Sequence, residues 1–334
     1  MVRPRRIVFV CKGLEDPATR YRILQYEALF IRHGWQISCL AERGSWFERL
    51  AVLKAAKTAE VLVVSRRTYS YPFLWLLRYF AGYLIFDFDD AIFCKSSGAV
   101  SRRRQKGFAR MVSCCDQIWA GNRYLAAAAE PYQRRVRVIP TSVFPEAYEK
   151  IKVDRSDSFV DLVWIGSRST RKHLLTIMPV LEETALAVPG LRLKIIADFS
   201  LSAQHLDVLA VPWSKAHEAY DLVSADIGLA PLPDNPFTRG KCALKIIQYM
   251  AAGLPVVSSA SGVNREVVAD GVSGFLAHNP EQWQAAIVRL ARNRKMRRAM
   301  GEAGREIFLK NYSGPVVFAK IMGSLESDFS PEQS

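Results

Sequence analysis

Short apolar runs alternate with helix-forming segments along nearly the whole chain. The runs predicted as strands are RIVFVC (6–11), QISCL (36–40), EVLVVS (60–65), YLIFDF (83–88), QIWA (117–120), VRVI (136–139), DLVWIG (161–166), LRLKIIAD (191–198), VLAV (208–211), DIGLAP (226–231), LPVVSS (254–259) and GFLA (274–277). The predicted helices are 19–33, 46–58, 71–81, 101–115, 122–130, 171–187, 215–224, 241–252, 281–293 and 295–311. Strand–helix alternation at this interval builds βαβ units, so the pattern predicts an α/β fold of doubly wound parallel sheets with helices on both faces.

The pattern is interrupted near 145–160, where the polar stretch KIKVDRSDS has no apolar period. A chain of 334 residues suits two domains of about 150 residues each. We therefore expect a first Rossmann-like domain over 1–150 and a second over 151–311, facing each other across a cleft. Beyond them, residues 312–328 carry a helical apolar stripe that needs a packing partner.

Composition excludes several classes of protein. Hydrophobic residues make up 50% of the chain and charged residues 23%, which excludes a largely disordered chain. No uncharged apolar stretch is long enough to predict a membrane span, and the N-terminus resembles a first strand more than a signal peptide. The six cysteines form no CxxC pair and the five histidines have no ligand spacing, so we expect reduced thiols, a cytoplasmic location and no zinc site.

Positive charge is concentrated in the first half of the chain. The net charge is +14, and residues 1–155 hold 27 Lys and Arg against 14 Asp and Glu. The basic clusters are Arg102, Arg103, Arg104, Lys106 and Arg110; Arg3, Arg5 and Arg6; and Arg134, Arg135 and Arg137. This asymmetry indicates an anionic partner for the first half, with general solubility as the alternative.

The strongest chemical signal is TRGKCALKIIQYMAAGLPVVSSASGVNREVVADGVSGFL (238–276). A basic loop leads into a helix, which Gly253 and Pro255 end before a buried strand. Arg239, Gly240 and Lys241 are expected at the helix N-terminus, where backbone N–H groups and two cations suit a diphosphate. A surface helix with a basic start is the alternative.

This stretch resembles the C-terminal signature of glycosyltransferase family 4, through QYMAAGLPVV, GVNREVV and DGVSGFL in that order. MGEAGREIFLKNYS (300–313) and DLVWIGSRSTRKHLLTIMPVL (161–181) are similar to further segments of that family. RYRILQYEAL, FDFDDAIF, AGNRYLA and VRVIPTSV resemble a branch with an Asp-rich motif in its N-terminal domain. The resemblance implies a GT-B fold, a retaining, hexosyltransferase-type reaction with a nucleotide-sugar donor, no metal or other cofactor, and a C-terminal helix over 312–328 that crosses back to the N-terminal domain.

The resemblance also implies where the donor binds. The family's two glutamates around the 240s helix correspond to Gly240 and Gln248, of which the second holds the ribose. Its diphosphate-binding Arg and Lys correspond to Ser167 and Lys172. The full donor set implied is Gly166, Ser167, Arg168, Arg171, Trp213, Thr238, Arg239, Gly240, Leu244, Lys245 and Gln248, with Lys241 and Lys172 as catalytic cations that stabilise the departing diphosphate.

DFDDAIF (87–93) places three carboxylates at the end of a predicted strand. Asp89 and Asp90 are candidate catalytic residues that bind acceptor hydroxyls or shape the cleft; helix capping is the second reading and a Mg or Mn site the last. Arg20, Arg22, Asp87 and Asn122 complete the expected acceptor side. The loop KGLEDPAT after the first strand has no GxGxxG, which argues against a dinucleotide oxidoreductase, and no His, which favours a retaining reaction.

Two other functions are consistent with the sequence: a GT-B sugar-nucleotide epimerase, and a non-enzymatic basic anion or nucleic-acid binder. An epimerase needs several acid and base groups at the sugar, and the chain has few histidines to supply them. Against a nucleic-acid binder, no nucleic-acid-binding module is recognisable in the sequence. We expect a glycan or polyprenyl-linked acceptor, no nucleic acid, and a role in cell-surface polysaccharide or glycoconjugate assembly. The basic first half predicts peripheral attachment to an anionic membrane, with a soluble enzyme acting on a free small molecule as the alternative. The aromatic segment 68–86 is interpreted as a buried crossover helix followed by a core strand, with an element that dips into the membrane as the alternative.

Overall fold

The computed structural model describes residues 5–149, 151, 153 and 158–329. Arg3 and most of the predicted linker KIKVDRSDS therefore lie outside the described residues. The chain divides into a first unit, made of 1–142, 235–242 and 314–334, and a second unit, made of 143–234 and 243–313.

A parallel sheet forms the centre of the first unit. Its strands are β1 (Arg5–Cys11), β2 (Trp35–Ala41), β3 (Val61–Ser65), β4 (Tyr83–Phe88), β5 (Gln117–Ala120) and β6 (Val136–Val138), in the order β2-β1-β3-β4-β5-β6. Its helices are α1 (Pro17–Arg22), α2 (Glu27–Arg32), α3 (Trp46–Thr58), α4 (Tyr71–Phe80), α5 (Arg102–Cys114) and α6 (Arg123–Ala129). The strand order reverses between β1 and β3, which pair with Ile7 opposite Val61.

The second unit has its own parallel sheet. Its strands are β7 (Val160–Ile165), β8 (Leu191–Ala197), β9 (Asp207–Pro212), β10 (Ile227–Ala230), β11 (Val256–Ser259) and β12 (Gly274–Ala277), in the order β12-β11-β10-β7-β8-β9. Its helices are α7 (Glu146–Glu149), α8 (Arg171–Leu175), α9 (Met178–Ala187), α10 (Glu218–Val223), α11 (Leu244–Ala251), α12 (Asn264–Val267), α13 (Pro280–Arg292) and α14 (Arg294–Asn311). The order reverses between β7 and β10.

Every predicted strand is present, within about two residues at each end, and the predicted fold class of two doubly wound parallel sheets is confirmed. The reason is burial on both faces: β3 and β5 are buried at every position, and apolar runs at 61–64 and 118–120 make up most of each strand. Among the described residues, no helix combines the length and the hydropathy needed to cross a membrane.

Some predicted helices have different limits. The segment 171–187 is broken into α8 and α9, because Pro179 has no N–H to continue the first helix and instead occupies the first turn of the second. The segment 19–33 begins earlier, at Pro17 with Asp16 as its cap, and is interrupted after Arg22. The short helices α7 and α12 were not predicted.

The segment after Ser313 forms α15 (Gly314–Phe329), which belongs to the first unit. The ring of Phe318 lies 5.8 Å from that of Tyr26 and 5.0 Å from that of Phe30. The Gln117 amide donates a hydrogen bond of 3.0 Å to the Ser324 carbonyl. The apolar stripe seen in the sequence therefore packs on residues of the N-terminal sheet and its helices.

Candidate functional site

In the second unit, the strand order reverses between β7 and β10. Ligands of open α/β sheets bind at the carboxyl ends of the two strands where the order reverses. Tyr249 of α11 anchors this position. Its hydroxyl accepts a hydrogen bond from the Ile165 N–H at 3.1 Å and donates one to the Leu229 carbonyl at 3.1 Å. Burial raises the pKa of Tyr249, so the hydroxyl keeps its proton and its donor role. α11 is thereby fixed across the end of both strands.

Lys245, on the first turn of α11, is held at the end of β7. Its ammonium donates to the Ile165 carbonyl at 2.5 Å and lies 4.6 Å from the centre of the Trp164 ring. Gly166 follows directly, and a Cβ there would come within 2.2 Å of the buried Trp164 ring. The close approach of backbone and ring thus requires glycine at this position. Of the predicted donor residues, Lys245 on α11 is thereby brought next to Gly166 at the end of β7. Leu244 is half-buried at the start of α11.

The other predicted cations of this unit lie on the loop and helix after Gly166. Arg168 is exposed and pairs with Asp198, with 3.3 Å between Nε and Oδ2. The Arg171 guanidinium lies 5.6 Å from the Phe199 ring centre. Lys172 is exposed on the first turn of α8. The Ser167 N–H donates to the Thr170 hydroxyl at 3.1 Å, which closes the turn. The loop therefore presents cations and backbone dipoles at its surface.

Gln248 is buried on α11, and its amide donates a hydrogen bond of 2.9 Å to Oε1 of Glu218. The indole N–H of Trp213 donates one of 2.7 Å to Oε2 of the same carboxylate. The sequence predicted Trp213 and Gln248 but missed Glu218, which begins α10. Its only sequence signal is the acidic residue at the start of a predicted helix, which is an ordinary position for Glu. Gln248 is neutral, and Glu218 places a carboxylate beside it.

In the first unit, Asp87 at the end of β4 forms a buried ion pair with Arg22 of α1. Arg22 Nε donates to both carboxylate oxygens at 3.0 Å, and its Nη1 donates to the Ile139 carbonyl at 3.0 Å. The carboxylate raises the pKa of Arg22 against the opposing effect of burial. Both residues were predicted to face an acceptor. The structure instead buries them against each other, where they join α1, β4 and the segment after β6.

Asp89 and Asp90 extend this acidic end of β4 and meet Arg66. The Arg66 Nε lies 3.3 Å from Oδ1 of Asp89, its Nη1 lies 3.5 Å from Oδ1 of Asp16, and its Nη2 pairs with Asp90. Arg66 itself has a left-handed backbone, with φ of 59°. Burial, and next the charge of Asp89, raise the pKa of Asp90, while Arg66 and Lys241 lower it. The sequence missed Arg66.

Asp89 and Asp90 do not cap α5, the next helix, because its cap is Ser101. Among residues 5–149, 151, 153 and 158–329, no three or more His, Cys, Asp and Glu side chains are grouped to hold a metal ion.

The segment 235–242, predicted as part of the second domain, lies in the first unit. The Lys241 ammonium pairs with Asp90, 2.6 Å from Oδ1. The Asn122 amide donates to the carbonyls of Arg239, at 3.2 Å, and Lys241, at 2.9 Å. A Cβ on Gly240 would come within 2.7 Å of Ala91. These contacts fix the segment to the end of β4 and the start of α6, which explains its grouping with the first unit.

The prediction that Arg239, Gly240 and Lys241 form the N-terminus of the helix α11 is therefore wrong. Arg239 and Gly240 lie on a separate one-turn 3-10 helix (Thr238–Gly240), with Thr238 buried and Arg239 exposed. α11 begins only at Leu244, because Ala243 adopts a left-handed φ of 53° that a right-handed helix cannot include. Arg20, also predicted on the acceptor side, lies over the ring of its neighbour Tyr21 at 4.3 Å.

Residues 196–307 match the family described as Glycosyl transferases group 1. A D-inositol 3-phosphate glycosyltransferase from Segniliparus rotundus is 28% identical over 219 residues, which are 56% of this chain and 46% of that protein. The match thus spans about half the length of this relative.

Solved structures resemble nearly the whole chain. HepE from Anabaena, solved with UDP and glucose, has a TM-score of 0.69 and 15% identity over 97% of this chain and 100% of its own. A sucrose-phosphate synthase from Thermosynechococcus elongatus has a TM-score of 0.75 and 12% identity over 97% of this chain and 98% of its own. At these identities the likeness is one of fold. Residues 196–307 are therefore similar to the glycosyl transferases group 1 family, in a chain that has the GT-B fold.

Proposed function

We propose that this protein is a retaining glycosyltransferase that moves a sugar from a nucleotide-sugar donor to a glycan or lipid-linked saccharide acceptor. The observation that carries the proposal is the cluster at the reversal point of the second sheet, inside the matched family domain. There Lys245 stands at the end of β7, and Glu218, held by Gln248 and Trp213, supplies a carboxylate. The similar HepE structures contain UDP, and UDP-glucose in one case, which supports a donor of this class.

The donor diphosphate is assigned to the loop after β7. Breaking the bond between sugar and phosphate leaves additional negative charge on the nucleoside diphosphate. Lys245, Lys172 and the backbone N–H groups that follow Gly166 stabilise this charge most when they are already oriented before the reaction. Lys245 meets that requirement because its ammonium is fixed by the Ile165 carbonyl and the Trp164 ring. Lys241 is also proposed as a catalytic cation.

The ribose is assigned to Glu218 and Gln248. A carboxylate accepts hydrogen bonds from the two adjacent hydroxyls of a ribose, and an amide adds both a donor and an acceptor. Gln248 is buried and is hydrogen-bonded to Glu218, so it orients the carboxylate. Trp213, 43% exposed, offers an indole surface beside the same carboxylate. In this assignment Glu218 supplies the charge that the neutral Gln248 lacks.

Retention of the anomeric configuration requires no protein base. The loop after β1 contains Lys12, Glu15 and Asp16 but no histidine. In the proposed step the bond from the anomeric carbon to the phosphate oxygen breaks and the acceptor oxygen bonds to the same face of that carbon. The acceptor proton passes to an oxygen of the departing diphosphate, so protons and charge balance without a metal or another cofactor.

The acceptor is assigned to the first unit, which holds most of the net positive charge. An anionic acceptor such as a polyprenyl-diphosphate-linked saccharide suits that charge. Such an acceptor places the enzyme at the cytoplasmic face of a membrane, as a peripheral protein, in the assembly of a cell-surface polysaccharide or glycoconjugate. Nucleic acid has no part in the proposal.

The donor is tested by thermal unfolding with a panel of nucleoside diphosphates and their sugars. A ligand of the native state at about 100 times its dissociation constant adds roughly 2.7 kcal/mol to the free energy of unfolding. The matching sugar nucleotide should then be hydrolysed slowly, and transfer to an acceptor should give a product whose anomeric configuration, read by NMR, equals that of the donor. No stabilisation by any nucleotide would contradict the proposal, and an inverted product would contradict retention.

A further inference from the structure

The outward side of α4 lacks the charged residues of an ordinary surface helix. Leu74 and Leu77 point into the core of the first unit and are buried. On the opposite side Tyr71, Trp75 and Tyr79 have 62%, 61% and 72% of their surface exposed. Pro72 and Leu76 are the other exposed residues of this ten-residue helix. A surface helix normally presents polar and charged side chains to water, so this side indicates an apolar partner.

The start of α3 continues this apolar surface. Trp46 and Phe47 are 66% and 80% exposed. α3 packs beside α4, and the Arg49 guanidinium of α3 lies 5.6 Å from the Phe73 ring centre of α4. We call Trp46, Phe47, Tyr71, Trp75, Leu76 and Tyr79 the aromatic surface.

A basic helix lies next to the aromatic surface. α3, α4 and α5 connect β2 to β3, β3 to β4 and β4 to β5, and each connection runs in the same direction across the sheet. Right-handed crossovers therefore place all three on one side of the sheet, with α4 between α3 and α5. α5 contains no acidic residue, and its exposed cations are Arg102, Arg103, Arg104, Lys106 and Arg110.

We propose that the aromatic surface and the cations of α5 together form a docking surface for an anionic lipid bilayer. Trp and Tyr have an apolar body and a polar end, which suits the boundary between lipid headgroups and acyl chains. The neighbouring cations complement the negative potential of anionic lipids. Trp75 and Tyr79 stack with ring centres 6.0 Å apart, which makes a compact apolar projection. The inference rests on the proposed function only in that a lipid-linked acceptor explains why the enzyme should be at a membrane.

Sedimentation with vesicles tests the proposal on the full chain, without donor or acceptor. The probes are vesicles of phosphatidylcholine alone and vesicles that also contain phosphatidylglycerol. Binding should be confined to the anionic vesicles and should weaken steeply as the salt rises from low concentration to about 0.5 M, because the Debye length contracts. Equal binding to both kinds of vesicle, or no binding to either at low salt, would overturn the proposal.

Two pairs of variants locate the surface. Trp75→Ser with Tyr79→Ser should weaken binding by roughly tenfold or more through lost apolar burial, whereas Tyr132→Ser, an exposed aromatic of the same unit, should not. Arg103→Gln with Lys106→Gln removes two cations, which are expected to contribute about fivefold each, or roughly 25-fold together. Arg294→Gln with Lys310→Gln on α14 makes the same charge change elsewhere and should have little effect. Wild-type vesicle binding by the Trp75→Ser, Tyr79→Ser variant and by the Arg103→Gln, Lys106→Gln variant would refute the location of the docking surface.

Two further measurements give distinct outcomes. Analytical ultracentrifugation of the wild type and of the Trp75→Ser, Tyr79→Ser variant shows whether the aromatic surface joins copies of the chain. Self-association of the wild type that is lost in the variant would show that a second copy, and not a bilayer, binds this surface, and would overturn the proposal. Donor hydrolysis without vesicles should be unchanged in the same variant. Normal hydrolysis without vesicle binding would refute docking alone, whereas vesicle binding without any nucleotide binding would refute the proposed function alone.

Discussion

The Lys241 ammonium lies 2.6 Å from Oδ1 of Asp90, although the two residues are 151 positions apart in the sequence. The same carboxylate also pairs with Arg66. Asp90 therefore connects the DFDD motif at the end of β4 with the basic segment 235–242. Asp90 has two cationic neighbours, so it is a positioning residue for Lys241 in the proposed reaction, and the two residues should be coupled in their effects.

Replacing Lys241 tests that role directly. Lys241→Ala should lower turnover by about 10²–10³-fold, the usual cost of losing one preorganised charge stabiliser. The fold should persist, because the Lys241 side chain is partly exposed and its carbonyl remains bonded to Asn122. Steady-state kinetics with circular dichroism as the fold check is the measurement. Activity within about threefold of the wild type would remove Lys241 from the site.

The coupling is measured by a double-mutant cycle. Asp90→Asn alone should lower turnover, and it should have little further effect once Lys241 is alanine, because the lysine that Asp90 positions is then absent. Lys310→Ala, which removes an exposed lysine of α14, is the matched control. Additive losses from Lys241→Ala and Asp90→Asn would show that the two residues act independently.

The pKa of Asp90 predicts how stability depends on pH. It is raised above its ordinary value of 3.8, chiefly by burial, so the native state binds this proton more tightly than the unfolded chain. The stabilisation that protonated Asp90 gives the native state is fully present below pH 3.8, and it is lost as the pH rises through the raised pKa of Asp90. The free energy of unfolding should therefore fall as the pH rises from 3.8 through that raised pKa. Asp90→Asn cannot ionise. Its urea unfolding free energy should therefore vary less over about pH 4–7 and equal or exceed that of the wild type at the upper end. A variant less stable by about 3 kcal/mol or more at neutral pH would show that the ion pairs outweigh the cost of burial.

Glu218 is the residue whose assignment depends most on the structure. Glu218→Gln keeps the size of the side chain but removes the charge that accepts from Gln248 and Trp213. Hydrogen bonds to a charged group contribute about 1.5–3 kcal/mol, so the KM for the donor should rise by roughly 10–100-fold. The kcat should change little, because the ribose is held equally in the ground state and the transition state. The measurement is initial rates against donor concentration.

A matched control separates this effect from a general loss of negative charge. Glu281→Gln makes the same change in the exposed first turn of α13 and should leave the KM unchanged. A Glu218→Gln variant with a wild-type KM would return the ribose to Gln248 alone.

The reaction should proceed in EDTA. The proposed diphosphate stabilisers are Lys245, Lys172 and backbone N–H groups, and the carboxylates of Asp89 and Asp90 already pair with Arg66 and Lys241. Initial rates before and after exhaustive dialysis against EDTA are the measurement, with and without Mg²⁺ or Mn²⁺ added back. Activity lost in EDTA and restored by either ion would assign the DFDD carboxylates to a metal.

Gly166 should be intolerant of any side chain. A Cβ there would come within 2.2 Å of the fully buried Trp164 ring, so Gly166→Ala should lower the free energy of unfolding by roughly 1–3 kcal/mol through overpacking. Gly323 lies on α15, where an added Cβ would meet no described atom within 4 Å apart from its chain neighbours and the backbone of its own helix. Gly323→Ala should instead stabilise the protein by about 0.5–1 kcal/mol. Urea unfolding of both variants is the test, and equal effects would contradict the packing argument.

The sequence by itself determined the strands and the fold class. Parallel strands buried on both faces contain short apolar runs, such as 61–64 in β3 and 118–120 in β5, so no knowledge of distant residues is needed to find them. The end of α11 was equally local, because a Gly followed two residues later by a Pro, as at Gly253 and Pro255, is a common signal for the end of a helix. The start of α11 was not, since the left-handed backbone of Ala243 is imposed by the docking of the segment before it.

Only the tertiary structure decided which charges meet. From the sequence, Arg22 was as consistent with a ligand as its partner as with Asp87. Glu218 was one of several acidic residues near the start of a predicted helix. Their pairing follows from strand order: β1, β3 and β4 are neighbours in one sheet, and β7 and β10 in the other. That order brings loops from distant parts of the chain to the same sheet edge. A buried or partly buried charge is then stable only beside a partner, and the partner lies tens to hundreds of residues away, beyond the range of any local pattern.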